Sequence, residues 1–208
     1  MLFRSVIALD AYGQPIGRNV SDGVRVDAVG PSAGTVSDGP DPVVDIAYQQ
    51  SGRDVAATRT GFEDDVQSGS GIADYQWAVF RQAGGAPAPA TDPKVLAWTP
   101  VGNVNAARTT LPLPPLTHAQ LYYIGVRAVD AVENVGAPAY SDGFRPDLLS
   151  PVPGEVRDGV AEDIDLTADH TTIPANWDAF EEPDSGLMTY QYRLVKGLED
   201  VTAGWRRR

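Results

Sequence analysis

The residues best suited to chemistry in this 208-residue chain are its aspartates. Asp38, Asp41 and Asp45 fall within eight residues, and Asp158, Asp163 and Asp165 form a similar cluster further on. Three carboxylates on one short segment supply the hard oxygen donors that Ca²⁺ takes as ligands. Asp22, Asp27, Asp142 and Asp147 lie near the expected domain junctions, where a bound cation would stiffen an array. No EF-hand spacing is present. The competing reading is plainer: Asp-Gly pairs form turns, and aspartate blunts sheet edges. Calcium is the one cofactor the pattern suggests.

The aromatic residues come next. Trp77, Trp98, Tyr122 and Tyr123 could build a stacking platform for sugars, although such residues more often fill a core, where they bury the most area. Trp98 and Tyr123 are the two expected at the surface, and so the candidates for contacting a glycan or protein ligand. The catalytic inventory is thin. His118 and His170 are the only histidines, and neither stands in a recognisable triad order with a serine and an aspartate. There is no His-Glu-x-x-His, no phosphate-cradling glycine loop and no nucleophile elbow. With no cysteine, thiolate metal sites and cysteine nucleophiles are excluded. The expectation is a chain that is not an enzyme. Asn19-Val20-Ser21 is a lone glycosylation sequon.

Charge narrows the partners. The net charge is −12, from 28 acidic and 16 basic residues. A duplex nucleic-acid binder needs lysine and arginine against phosphate, so no nucleic-acid partner is expected. No apolar run approaches the roughly 18 residues of a membrane helix, so this segment is not expected to insert. The 21 glycines and 17 prolines suit many short strands joined by turns.

The elements that must position these residues repeat. Leu9-Asp10 matches Val129-Asp130, Ser21-Asp22-Gly23 matches Ser141-Asp142-Gly143, and Asp38-Gly39 matches Asp158-Gly159, all at an offset of 120 residues. Asp45-Ile46 falls on Asp165-Leu166 at the same offset. With small gaps, Phe62 pairs with Phe180, Tyr75-Gln76-Trp77 with Tyr190-Gln191-Tyr192, and Trp98 with Trp205. Residues 1–30 thus match the last quarter of a repeat, 31–150 form one complete repeat, and 151–208 match the first part of a third. Neighbouring repeats of such an array are the expected partners, joined by proline-containing links such as Ser150-Pro151-Val152-Pro153, which limit bending.

Strands are expected over 121–130, 75–80, 43–48, 55–58, 95–98 and from 109, with 190–195 copying 75–80. The first alternates Tyr122, Ile124, Val126 and Ala128 with Tyr123, Gly125, Arg127 and Val129, the period of a half-buried strand. Turn signals at Asp38-Gly39, Ser68-Gly69-Ser70-Gly71, Asp142-Gly143 and Asp158-Gly159 separate them. The fold class is all-β, an antiparallel two-sheet sandwich.

Leu116 six positions before Tyr122, then Tyr-x-Ile-x-Val-x-Ala, resembles the tyrosine corner and penultimate strand of fibronectin type III and related immunoglobulin-like domains. Ala175-Asn176-Trp177 resembles their second-strand tryptophan, and the Gly-x-Val-x-Asp-Gly and Ala-Asn-Trp-x-x-Phe runs resemble long repeats of large extracellular and cell-surface proteins. The resemblance implies a structural or adhesive spacer module, or a glycan- or protein-binding module or accessory domain of a larger secreted enzyme. It implies an extracellular or cell-surface location. Two positions depart from it: Arg59 stands where the third repeat has Trp177, and Leu2 stands where the complete repeat has Tyr122.

Overall fold

The computed structural model describes residues 2–66 and 69–207. Ser68, the first residue of one expected turn, lies outside the described residues. The chain divides into two compact units, Met1–Pro146 and Asp147–Arg208.

The first unit opens with a hairpin of β1 (Ser5–Leu9) and β2 (Pro15–Val20), antiparallel with Val6 opposite Asn19. Its tip is an aspartate turn: Asp10 Oδ1 accepts from the Tyr12 and Gln14 amides, each at 2.9 Å. Next come β3 (Thr35–Asp38), β4 (Tyr48–Gln49), β5 (Asp54–Thr60), β6 (Ile72–Arg81), β7 (Lys94–Pro100), β8 (Ala106–Thr110), β9 (Tyr122–Asp130), β10 (Ala139–Tyr140) and β11 (Arg145–Pro146). They form a three-stranded sheet, β3-β5-β8, and a four-stranded sheet, β10-β9-β6-β7, with β4 and β11 as a short parallel pair.

Side-chain alternation places the core. Val36, Val55 and Ala57 of the smaller sheet meet Tyr75, Trp77, Val79, Tyr122, Ile124, Val126 and Ala128 of the larger. Leu111, Leu116 and Phe144 complete the same cluster. The Tyr122 hydroxyl accepts a hydrogen bond from the Thr117 amide at 3.0 Å, tying the approach to β9 back onto that strand. The three-on-four strand order and this tyrosine corner make the unit a fibronectin type III-like sandwich.

Two details differ from expectation, and one departure from the repeat is explained. Of the strand expected over 43–48, only Tyr48 is paired. Pro40 and Pro42 lack ladder donors, and the Asp41 carboxylate takes the Val43 amide at 2.9 Å. The first half of the outward face of β9 is covered: Tyr123 and Gly125 are buried, as are Ala78 and Phe80 beside them, while Arg127 and Val129 are half-buried. The departure at Arg59 is accommodated within its strand. Arg59 pairs with Val36 across β3 and β5, and its guanidinium lies 3.5 Å from the centre of the Tyr75 ring. A cation on an aromatic face there fills the place of an aromatic pair.

The second unit contains β12 (Val156–Asp158), β13 (Ala175–Trp177), β14 (Gln191–Tyr192), β15 (Val195–Lys196), β16 (Glu199–Asp200) and β17 (Arg206–Arg207). They pair antiparallel as β12 with β13, β14 with β17, and β15 with β16. The copy of the 75–80 strand is therefore two short pieces, β14 and β15, rather than one strand. Arg157 clamps β12 by a bidentate contact with Asp178, at 2.9 and 2.7 Å, and a third bond to Glu155 at 2.7 Å.

Candidate functional site

The acidic segments were the first candidates, and the fold sorts them. Asp38 ends β3 and is fully buried. Its own amide donates to Asp45 Oδ1 at 2.6 Å, and its Oδ2 accepts from the Gly143 amide at 2.9 Å. Glycine is required on both sides of this contact. Gly39 has φ +99° with its Cβ position against Ile46, and Gly143 has φ +103° with its Cβ position 2.7 Å from the Tyr122 carbonyl oxygen. Asp142, beside Gly143, completes a group of three: Asp38, Asp45 and Asp142 each present a carboxylate oxygen within 4.8 Å of the others. Burial pushes the Asp38 carboxyl up to about 7. The Ser141 hydroxyl and the Gly143 amide oppose that rise, and the Asp45 and Asp142 charges add to it.

Asp41 does not join this group. Its carboxylate is turned back onto the Val43 amide, so the cluster read along the segment is replaced by one assembled across the fold. The missing member, Asp142, is 97 residues further along the chain than Asp45. Its place near a junction was visible in the sequence, but nothing there linked it to Asp38.

In the second unit, the Asp158 amide donates to Asp163 Oδ1 at 2.9 Å and the Ile164 amide to the Asp158 carbonyl at 2.9 Å. These are the bonds that Asp38 makes with Asp45 and Ile46. The structural counterpart of Asp45 is thus Asp163, at an offset of 118, and not Asp165. The intervening loop is two residues shorter in the second copy, which an ungapped match hides. Asp165 is exposed and lines a shallow cleft with Ile164 and Leu166.

A further acidic group joins Asp27, singled out in the sequence, to two aspartates that were not. Asp27, Asp64 and Asp130 also bring carboxylate oxygens within 4.8 Å of one another. Asp130 caps the β9–β10 turn through the Val132 and Asn134 amides, at 2.9 and 2.8 Å. Asp27 accepts from the Ser70 amide at 2.7 Å and Asp64 from the Gly71 amide at 2.6 Å. Hydrogen bonds from Ser70 and Val29 hold the Asp27 carboxyl below the usual carboxylate range.

The expected exposure of Tyr123 is corrected. Its side chain is 0% exposed. Residues 82–93, rich in glycine, alanine and proline, fold back toward it rather than standing free. Asp92 organises that loop, accepting from the Ala83 and Ala88 amides at 3.0 and 2.8 Å and from the Tyr123 hydroxyl at 2.8 Å. Burial raises the Tyr123 hydroxyl above its ordinary value, with the Asp92 hydrogen bond adding to the rise. The amide of Ala88, first among its donors, holds the Asp92 carboxyl below its own. Tyr123 then stacks on Phe80 with ring centres 5.1 Å apart. Trp98 is half-buried, its ring edge-on to Phe80 at 6.0 Å. The Arg127 guanidinium lies 4.5 Å from the Trp98 ring centre, held by two bonds to Gln76 Oε1 at 2.9 and 2.7 Å.

No protein-family profile matches the chain, and no curated protein sequence matches it. Among solved structures, it is similar to the FN1–FN3 domains of chicken CNTN1, with 17% identity and a TM-score of 0.36. The match covers 62% of this chain and 37% of that one. The fold assignment rests on the strand order and tyrosine corner above.

Proposed function

We propose that the chain is a non-enzymatic structural and adhesive repeat module, a spacer within a larger surface or secreted protein. The observation that carries this reading is the recurrence of one local architecture. Asp10 and Asp130 cap equivalent hairpins through the amides two and four residues on. The bridge of Leu2 with Val24 repeats in Tyr122 with Phe144, again 120 residues later. Phe62 and Tyr75 meet edge-on at 5.6 Å, and Phe180 and Tyr190 do so at 5.5 Å. A unit repeated along a chain bears load and sets spacing without any one copy holding a reaction centre. The fold itself is neutral between functions, so the reading rests on repetition rather than on the sandwich.

Stretching the full chain by its ends in an optical trap tests this. The complete sandwich should give way in one cooperative step, releasing roughly 3.4 Å per unravelled residue. Smooth extension with no step would overturn the spacer role.

A second reading, a glycan- or protein-binding module, is favoured by one observation: the half-buried Trp98 with Arg127 stacked on its ring. On a glycan array, binding that disappears in Trp98→Ala would establish it. An array blank at high protein concentration would leave the spacer reading alone.

A further inference from the structure

We propose that Asp38, Asp45 and Asp142 form a calcium site that fastens the loop after β3 to the loop after β10 in the complete repeat. Oxygens bound to one calcium ion at about 2.4 Å lie no farther apart than twice that distance. The three carboxylates meet this condition, with donor atoms within 4.8 Å of one another.

Proximity of acids does not by itself make a site. The distinguishing feature is Asp38, which is 0% exposed and whose Oδ1 accepts no hydrogen bond. A buried carboxylate oxygen without a donor is costly, and native folds rarely leave one. A cation supplies the absent partner and at the same time offsets the charges of Asp45 and Asp142.

The second acidic group shows the contrast. Asp27, Asp64 and Asp130 are as close together, yet all six of their carboxylate oxygens already accept from groups of the chain: Val29, Ser70, Asp65, Gly71, Val132 and Asn134. Nothing in that group is left wanting a ligand.

The repeat carries the same donors. Asp158 and Asp163 reproduce the bonding of Asp38 and Asp45. Asp22 precedes Gly23, at φ +95°, as Asp142 precedes Gly143, at φ +103°. Each of the three acids thus has a counterpart in another copy, whereas Asp41 has none at its offset. The proposal is independent of the spacer reading, because a calcium titration and a pulling curve fail separately.

The test uses the full chain, stripped with chelator at pH 7.5, and Ca²⁺ alone as the probe. Calorimetry should show saturable binding with a dissociation constant of about 0.1–1 mM, the range of extracellular calcium modules. Melting temperature should rise by about 3 °C at ten times that concentration. Asp142→Asn, at an exposed position, should weaken binding at least about tenfold. Asp38→Asn should abolish it, while Asp41→Asn and Asp64→Asn should keep it. No response at 10 mM Ca²⁺ overturns the proposal. So does a response that Asp142→Asn leaves unchanged, or one lost in Asp64→Asn instead. Should Asp38→Asn fail to fold, the exposed Asp142→Asn decides.

Discussion

The N-terminal unit and the C-terminal unit use the same local bonds to different ends. In the first, Arg59, Tyr75 and Phe62 pack together, with Arg59 only 5% exposed. In the second, Trp177, Tyr190 and Phe180 pack in the same order, with Trp177 and Tyr190 at 5.6 Å. The turn after β3 and the turn after β12 are likewise drawn by matching hydrogen bonds. Yet Asp38 is buried and Asp158 is exposed. Turn geometry follows from nearby residues, whereas burial of Asp38 needs the segment around Gly143, over one hundred residues later. Local sequence therefore sets the turn, and distant sequence sets its burial.

The comparison can be broken most sharply at the two tryptophans. Trp77→Ala empties the centre of the complete sandwich and should cost about 4 kcal/mol. Trp177→Ala, at a half-buried position, should cost about 1–2 kcal/mol. Urea unfolding of both variants measures the difference, and equal losses would show that the two units are packed alike.

Asp92 offers a pH-dependent test of why Tyr123 is buried. Its carboxyl titrates below the ordinary aspartate value in the folded chain, so its contribution is present above about pH 4 and is lost as pH falls through the folded value. The stability gap between the parent and Asp92→Asn should be widest near pH 6 and close toward pH 2.5. A gap independent of pH would mean that the loop is held by something other than this carboxylate.

Tyr122→Phe removes the corner bond to the Thr117 amide and should cost about 1 kcal/mol, read as a shift in urea midpoint at constant slope. Arg59→Trp installs in the N-terminal unit the pair found in the C-terminal unit. It also removes the buried and unpartnered Nε and Nη2, so it should stay within about 1 kcal/mol of the parent. A loss above about 3 kcal/mol would break the equivalence of the two trios.

Much of the fold was legible because its signals are local. Tyr-x-Ile-x-Val-x-Ala marks β9 by period, Leu116 and Tyr122 mark the corner by spacing, and Asp-Gly pairs mark turns. The candidate site was only half legible. Asp38 and Asp45 are close in sequence, but Asp142 reaches them through the sandwich, and Asp41 is diverted by a bond to the next residue but one. Tyr123 was misplaced for a similar reason. Period-two alternation gives the face of a strand, not what lies over that face, and here residues 82–93 fold back toward it. Arg59 departs from the repeat in sequence because arginine and tryptophan are different letters, while in the fold both meet a tyrosine, the guanidinium over the Tyr75 ring and the Trp177 indole against Tyr190 at a tilt of 56°.

The central claim is that one architecture recurs at 120 residues. Cross-strand α-proton and amide Overhauser contacts in the assigned full chain test it most directly. The account predicts Val6 opposite Asn19 and Val126 opposite Ala139, in one register 120 residues apart. A hairpin over residues 5–20 paired in any other register, or absent, would contradict it.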